Sequence, residues 1–218
     1  MKGENIMPEV VDYKKTEKNL YQPKTTPSVI DVPEMVFIMV DGKGNPNTSE
    51  EYQSAVGILY GLSYTIKMSK MNRTQPAGYF DYVVPPLEGL WWLEDGSEAW
   101  YQDKDKYCWI SMIRQPEFVD AAVFETAKTE LTGKKHIDAS RARLEKYAEG
   151  LCIQMMHIGS YDDEPGTNAA IRQFMADNGY VSDISGVRRH HEIYLNDPRK
   201  TAPDKLKTVI RHPVVKTV

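Results

Sequence analysis

The chain has 218 residues, 41% of them apolar, and a formal net charge of −4. That is enough apolar material for a real core, and the charge disfavours generic nucleic-acid binding. No apolar run approaches the roughly 18 residues of a membrane span. The locally basic stretch after Gly186 reads as a solvated face rather than a phosphate-binding surface. Cys108 and Cys152 show no CxxC spacing. As buried free thiols they suit a reducing cytoplasm, and the absence of an apolar secretory core agrees with a cytoplasmic location.

Residues 1–33 are polar, with scattered lysines and prolines, and predict an extended or partly ordered arm. "MVFIMV" (35–40) predicts a buried strand, and "DGKGNPN" a turn. Thr48 and Glu51 have capping-box spacing and open a helix along which Tyr52, Val56, Leu59, Ser63 and Ile66 recur. Gly57 and Gly61 suggest close approach of that helix to a sheet. "YFDYVVPPLEGLWWL" (79–93) predicts extended chain broken by prolines, "LEDGSEAWYQDKDK" a turn, and "YCWISMI" (107–113) a strand. Two helical pieces are expected in 117–148, the second over Arg141 to Ala148.

The pattern then restarts. "LCIQMMHIG" (151–159) predicts a strand, followed by a turn and a helix with Pro165 in its first turn and Asn178-Gly179 at its end. "VRRHHEIYL" and "LKTVIRHPV" predict two more strands. Both halves spell strand, helix, strand, strand. The expectation is an α+β fold of two such modules, about 34–115 and 150–215, in pseudo-twofold arrangement within one domain (34–218). A helical segment joins the modules. The antiparallel sheets carry helices on one side and a ligand cleft on the other.

No GxxxxGK[ST], GxSxG or HExxH occurs, and "DGKG" is a turn, so no cofactor is implied. His190 and His191 are adjacent on a strand and point to opposite faces, which disfavours a shared metal ion. His136, His157 and His212 are distant in sequence.

Alternation along 188–195 groups His191, Ile193 and Leu195 on one face and His190, Glu192 and Tyr194 on the other. Ile193 and Leu195 are expected under the helices, which sends Glu192 and Tyr194 to the cleft. A carboxylate among apolar groups needs a partner or a use. Arg188, Arg189 or Arg211 could pair with it. Otherwise Glu192 attracts a cationic or hydrogen-bond-donating ligand, or acts as a base on water. Tyr82, Trp91, Trp92, Trp109, Met112 and Met156 are candidate lining residues suited to flat apolar ligands and cations. An ordinary core recruits such residues as well.

"YVVPPLEGLWW", "LCIQMMHIGSYDDEP" and "HHEIYLNDPRKTAPDKLKTVIRHPV" resemble the GyrI-like small-molecule-binding family, over roughly residues 30–214. The resemblance is greatest to stand-alone bacterial members. It implies a ligand cleft between the two modules and a lipophilic or cationic small molecule beside a buried glutamate, here Glu192. It also implies a hydrolase reading, in which water opens the cyclopropyl ring of DNA-alkylating compounds. Glu192 is then the base, Tyr194 assists the developing oxyanion, and Glu88 is a second carboxylate for the site. The alternatives are a protein-interaction module with a partner such as gyrase, or a ligand-sensing subunit that meets its DNA reader in trans. Exposed sheet edges would permit a homodimer.

Overall fold

The computed structural model describes residues 10–96 and 104–217. Residues 1–9 of the expected arm, and part of the expected turn after Leu93, lie outside the described residues. Two single turns, α1 (Tyr13–Thr16) and α2 (Lys18–Tyr21), precede β1 (Ser28–Lys43), α3 (Glu50–Lys67), β2 (Leu87–Leu93) and β3 (Tyr107–Gln115). After α4 (Ala121–Lys135) come β4 (Arg143–Ile158), α5 (Glu164–Asp177), β5 (Tyr180–Ser182), β6 (His190–Tyr194) and β7 (Lys207–Lys216). The chain thus contains strand-helix-strand-strand twice, as β1-α3-β2-β3 and as β4-α5-β6-β7, with the short β5 added and α4 between the two modules.

The strands run in the order β4-β1-β3-β2-β6-β7-β5, and β4 also pairs with β7. Every registered pair is antiparallel. The modules meet at β2–β6 and again at β1–β4, so the sheet closes into a barrel-like form. Each of its six longer strands has a neighbour on both sides.

Several elements differ from their sequence patterns. Residues 143–148, expected as helix, are the start of β4. Glu34 to Met39 of β1 pair with Arg143 to Ala148, and this long-range ladder overrides the local helix preference of "RLEKYA". The α3 cap is Ser49, whose side chain accepts from the Tyr52 N–H, one residue beyond the expected Thr48. Gly61 serves a helix–helix contact instead of a helix–sheet one. A Cβ there would lie 3.0 Å from Leu131 of α4.

Alternation along the strands divides the interior into two faces. On the helix-bearing face, Ile38, Val40, Trp91, Trp109 and Ile113 pack against Leu59, Leu62 and Ile66 of α3 and Phe124 and Leu131 of α4. Ile153, Met155 and Ile210 pack against Ile171 and Met175 of α5 on that same face. On the opposite face, Phe37, Met39, Leu90, Met112, Cys152, Met156, Ile193 and Val209 pack against Tyr13, Leu20 and Tyr21. The arm from Asp12 to Lys24 is therefore a structural element. Arg211 Nη2–H donates to the Leu20 carbonyl at 2.8 Å, Gln154 Nε2–H to the Asn19 carbonyl at 2.7 Å, and the Met156 N–H to the Lys24 carbonyl at 2.8 Å. These bonds satisfy arm carbonyls that the arm's own short turns leave open.

Candidate functional site

Glu192 lies in the middle of β6, opposite Gly89 of β2 and Ile210 of β7. It stands at the strand pair that joins the two modules. The two faces are the reverse of the sequence expectation. Ile193 belongs to the cluster under the N-terminal arm, whereas Tyr194 packs against the helix-side cluster. Glu192 therefore points toward the helices. The sequence pattern separates the two faces correctly, but it could not assign them, because the arm supplies apolar cover that its polar composition conceals.

The Glu192 side chain is 13% exposed. The Tyr194 hydroxyl donates to its Oε2 at 2.7 Å, and the Trp91 Nε1–H donates to the Tyr194 oxygen at 3.0 Å. His190 Nε2 lies 3.0 Å from Glu192 Oε1, and His190 Nδ1 lies 2.8 Å from His212 Nε2. With Glu192 ionised, the consistent tautomers are His190 donating through Nε2–H and His212 donating through Nε2–H to His190 Nδ1. No arginine from the expected set takes up this carboxylate. Arg211 pairs with Glu149, Arg188 with Asp183, and Arg189 lies over the Trp92 ring. Each Glu192 oxygen keeps an acceptor direction beyond the bond described.

Around this group stand Tyr52 of α3, Tyr161 and Glu164. Tyr161 packs edge-on against Tyr194 at 5.7 Å between centroids, and Tyr52 lies 5.9 Å from Trp91. Glu164 is the first residue of α5 and is buried. Its carboxylate, His190 and Glu192 offer ligand atoms that all lie within 4.8 Å of one another. Burial, reinforced by the Glu192 charge, raises the phenols of Tyr52 and Tyr194, and the same causes push Tyr161 up to about 12. All three remain protonated donors at neutral pH. Burial, reinforced by His190 and Arg172, lowers His212 well below the ordinary imidazole range, so it stays neutral.

Gly89 makes room for the Trp91 indole. A Cβ at this position would lie 2.6 Å from Trp91 Nε1. The bare glycine backbone lets the indole fold back along its own strand and reach Tyr194.

The other expected site residues lie elsewhere. Trp109 is on the helix-bearing face but fully buried beside Tyr52, with centroids 5.0 Å apart. Met112 and Met156 belong to the cluster under the arm, and Trp92 packs against it beneath Arg189. Tyr82 sits in an aromatic group with Tyr79 and Phe118.

Glu88 does not share the Glu192 site. It lies on the opposite face, where Glu88 Oε2 is 3.0 Å from His191 Nε2 and Glu149 Oε2 is 3.0 Å from His191 Nδ1. Burial alone would discharge His191, but Glu149 and Glu88 override it and raise the ring to about 9. Both ring nitrogens then donate. Arg211 Nη1 adds a third contact to this buried network, 3.0 Å from Glu149 Oε2.

His190 and His191 do point apart as alternation requires. Sequence distance concealed the other partners. His212 reaches His190 because β6 and β7 pair, one step beyond the registered pair His191–Arg211. Glu164 sits in "SYDDEPGT", where the turn signal gave no hint that its carboxylate points at β6.

The fold has known counterparts. The model of the GyrI-like small molecule binding domain matches residues 25–215. A crystal structure of a hydrolase from Listeria innocua is 50% identical, covers 94% of this chain and 100% of its own, and superposes with a TM-score of 0.87. A structure of an uncharacterized conserved protein from the same organism has the same identity and coverage, with a TM-score of 0.89. The C-terminal domain of EcmrR is 13% identical, covers 88% of this chain and 98% of its own, and has a TM-score of 0.52. At that identity it shows the fold alone. No curated protein matches the chain.

Proposed function

The chain belongs to the GyrI-like small-molecule-binding family, and from that premise we propose that it is a hydrolase of flat, electrophilic compounds carrying a strained cyclopropyl ring. The observation that carries the proposal is a carboxylate, Glu192, held on the helix-bearing face by an imidazole and a phenol, while Arg188, Arg189 and Arg211 are engaged elsewhere. His190 and Tyr194 orient the carboxylate, one on each oxygen, and set it in place to act on a bound water. The Listeria innocua relative described as a hydrolase supports a hydrolytic activity, with no substrate named.

In the proposed reaction, Glu192 accepts a proton from water as the water oxygen bonds to a cyclopropyl carbon. The ring C–C bond breaks, and its electron pair passes to the oxygen of a conjugated carbonyl. That oxyanion then takes a proton, so the net change is addition of one water. Tyr194 orients the carboxylate and supplies a protonated phenol beside it. Tyr52, Tyr161 and Trp91 offer aromatic surface for a flat ligand.

The test is turnover of a cyclopropyl-conjugated dienone by the purified chain and by Glu192→Gln, with thermal shift measured on both. The expected result is turnover by the wild type, none by the variant, and ligand-induced stabilisation of each. Normal turnover by Glu192→Gln would remove Glu192 as the base. Stabilisation of the wild type without turnover would leave a binding protein, and no shift would leave neither.

A further inference from the structure

Glu164, His190 and Glu192 come from two different elements and converge on one small volume. Glu164 begins α5, and the other two sit two residues apart on β6. Glu164 and His190 are 1% and 6% exposed, so this is not a solvated acidic surface. Their ligand atoms lie within 4.8 Å of one another. Two carboxylates and an imidazole form a mixed oxygen and nitrogen set of the kind that borderline divalent ions accept.

The surrounding residues supply the second requirement, which is orientation from behind. His212 Nε2 stands 2.8 Å from His190 Nδ1. In the metal-bound form both rings would take the other tautomer: His212 Nε2 accepts from His190 Nδ1–H, and His190 Nε2, no longer donating to Glu192, presents its lone pair to the ion. Tyr194 fixes Glu192 through Oε2 at 2.7 Å and leaves Oε1 on the His190 side. A tetrahedron with bonds of ~2.0–2.1 Å has edges of roughly 3.3 Å. His190 Nε2 and Glu192 Oε1, 3.0 Å apart, are already near that edge.

We infer that Glu164, His190 and Glu192 form a binding site for one divalent transition-metal ion of the zinc class. The fourth coordination position is left to water. The inference rests on these three side chains and not on the hydrolase reading, although the two share Glu192. An ion bound to Glu192 occupies the carboxylate that the proposed reaction uses as a base. Saturating metal is therefore expected to inhibit turnover.

The experiment is equilibrium dialysis of the full chain against zinc chloride, with bound metal determined by elemental analysis. The expected result is one ion per wild-type chain, strong loss of retention in Glu164→Gln and His190→Asn, and a loss of about 10–100-fold in affinity in His212→Asn, as outer-shell partners give. Circular dichroism establishes that each variant is folded. Should a variant fail to fold, the visible spectrum of the cobalt(II)-loaded wild-type chain decides. Intense tetrahedral bands support the site, and a spectrum like that of free aqueous cobalt overturns it. Substoichiometric zinc on the wild type, or undiminished zinc on folded Glu164→Gln and His190→Asn, also overturns the inference. Neither failure touches the hydrolase reading, which turnover without added metal tests separately.

Discussion

Tyr194 and Glu192 lie on the same face of one strand, two residues apart, and the phenol donates to the carboxylate at 2.7 Å. A third group, the Trp91 indole, donates to that phenol from the neighbouring strand. This chain runs across the β2–β6 pairing where the two modules join, so the site exists only when both modules are folded together.

Tyr194→Phe removes the hydroxyl from the middle of that chain. Under the proposed reaction it loses a positioned donor, and kcat is expected to fall by about 10²–10³, the range for loss of one preorganised donor. The Trp91 N–H loses its acceptor at the same time, at a cost of about 1–3 kcal/mol in stability. Steady-state kinetics and urea denaturation read the two effects separately. Unchanged kcat would reduce Tyr194 to a packing residue.

Gly89→Ala places a methyl group where the Trp91 indole now lies. The indole must swing away from Tyr194, and overpacking of this kind costs about 1–3 kcal/mol. The expected outcome is a lower Tm together with an altered tryptophan emission spectrum. A variant as stable as the wild type, with unchanged fluorescence, would show that the indole yields without cost.

Leu20→Ala tests whether the arm belongs to the core. Leu20 is 3% exposed against the face opposite the helices. Truncating a buried leucine costs about 2–5 kcal/mol. A loosely attached leader would show no measurable change in denaturation midpoint.

The buried network beneath the arm predicts the acid limb of stability. Burial alone would raise the Glu149 carboxyl, but the charges of His191 and Arg211 override it and bring it down from its ordinary 4.5 to about 2. A carboxyl with a depressed folded-state value contributes stability that is fully present above about pH 4.5 and is lost as pH falls through about 2. Wild-type unfolding free energy should therefore fall as pH drops from about 4.5 toward 2. Glu149→Gln, although less stable overall because it leaves Arg211 underpaired, should show a shallower fall. Equal slopes would place the acid sensitivity in other carboxylates.

The sequence by itself determined the repeat, the centres of the six longer strands and the grouping of side chains along β6. Those properties follow from local periodicity and turn chemistry, which act over a few residues. Alternation alone puts His190, Glu192 and Tyr194 together and sends His191 the other way. The α+β class follows from the same local patterns, repeated in order, whereas the family is read from the resemblance of three stretches. What alternation could not decide was which face meets the helices. Only the tertiary structure shows that Leu20 and Tyr21, from a polar arm, bury the face that carries Ile193 and Glu88. That packing leaves Glu192 to look toward α3 and α5. The strand start at Arg143 was likewise beyond local reading, because its ladder with β1 bridges more than a hundred residues. Glu164 and His212 join the site for the same reason. Each reaches His190 or Glu192 across an element boundary, and such convergence is a property of packing that no spacing along the chain records.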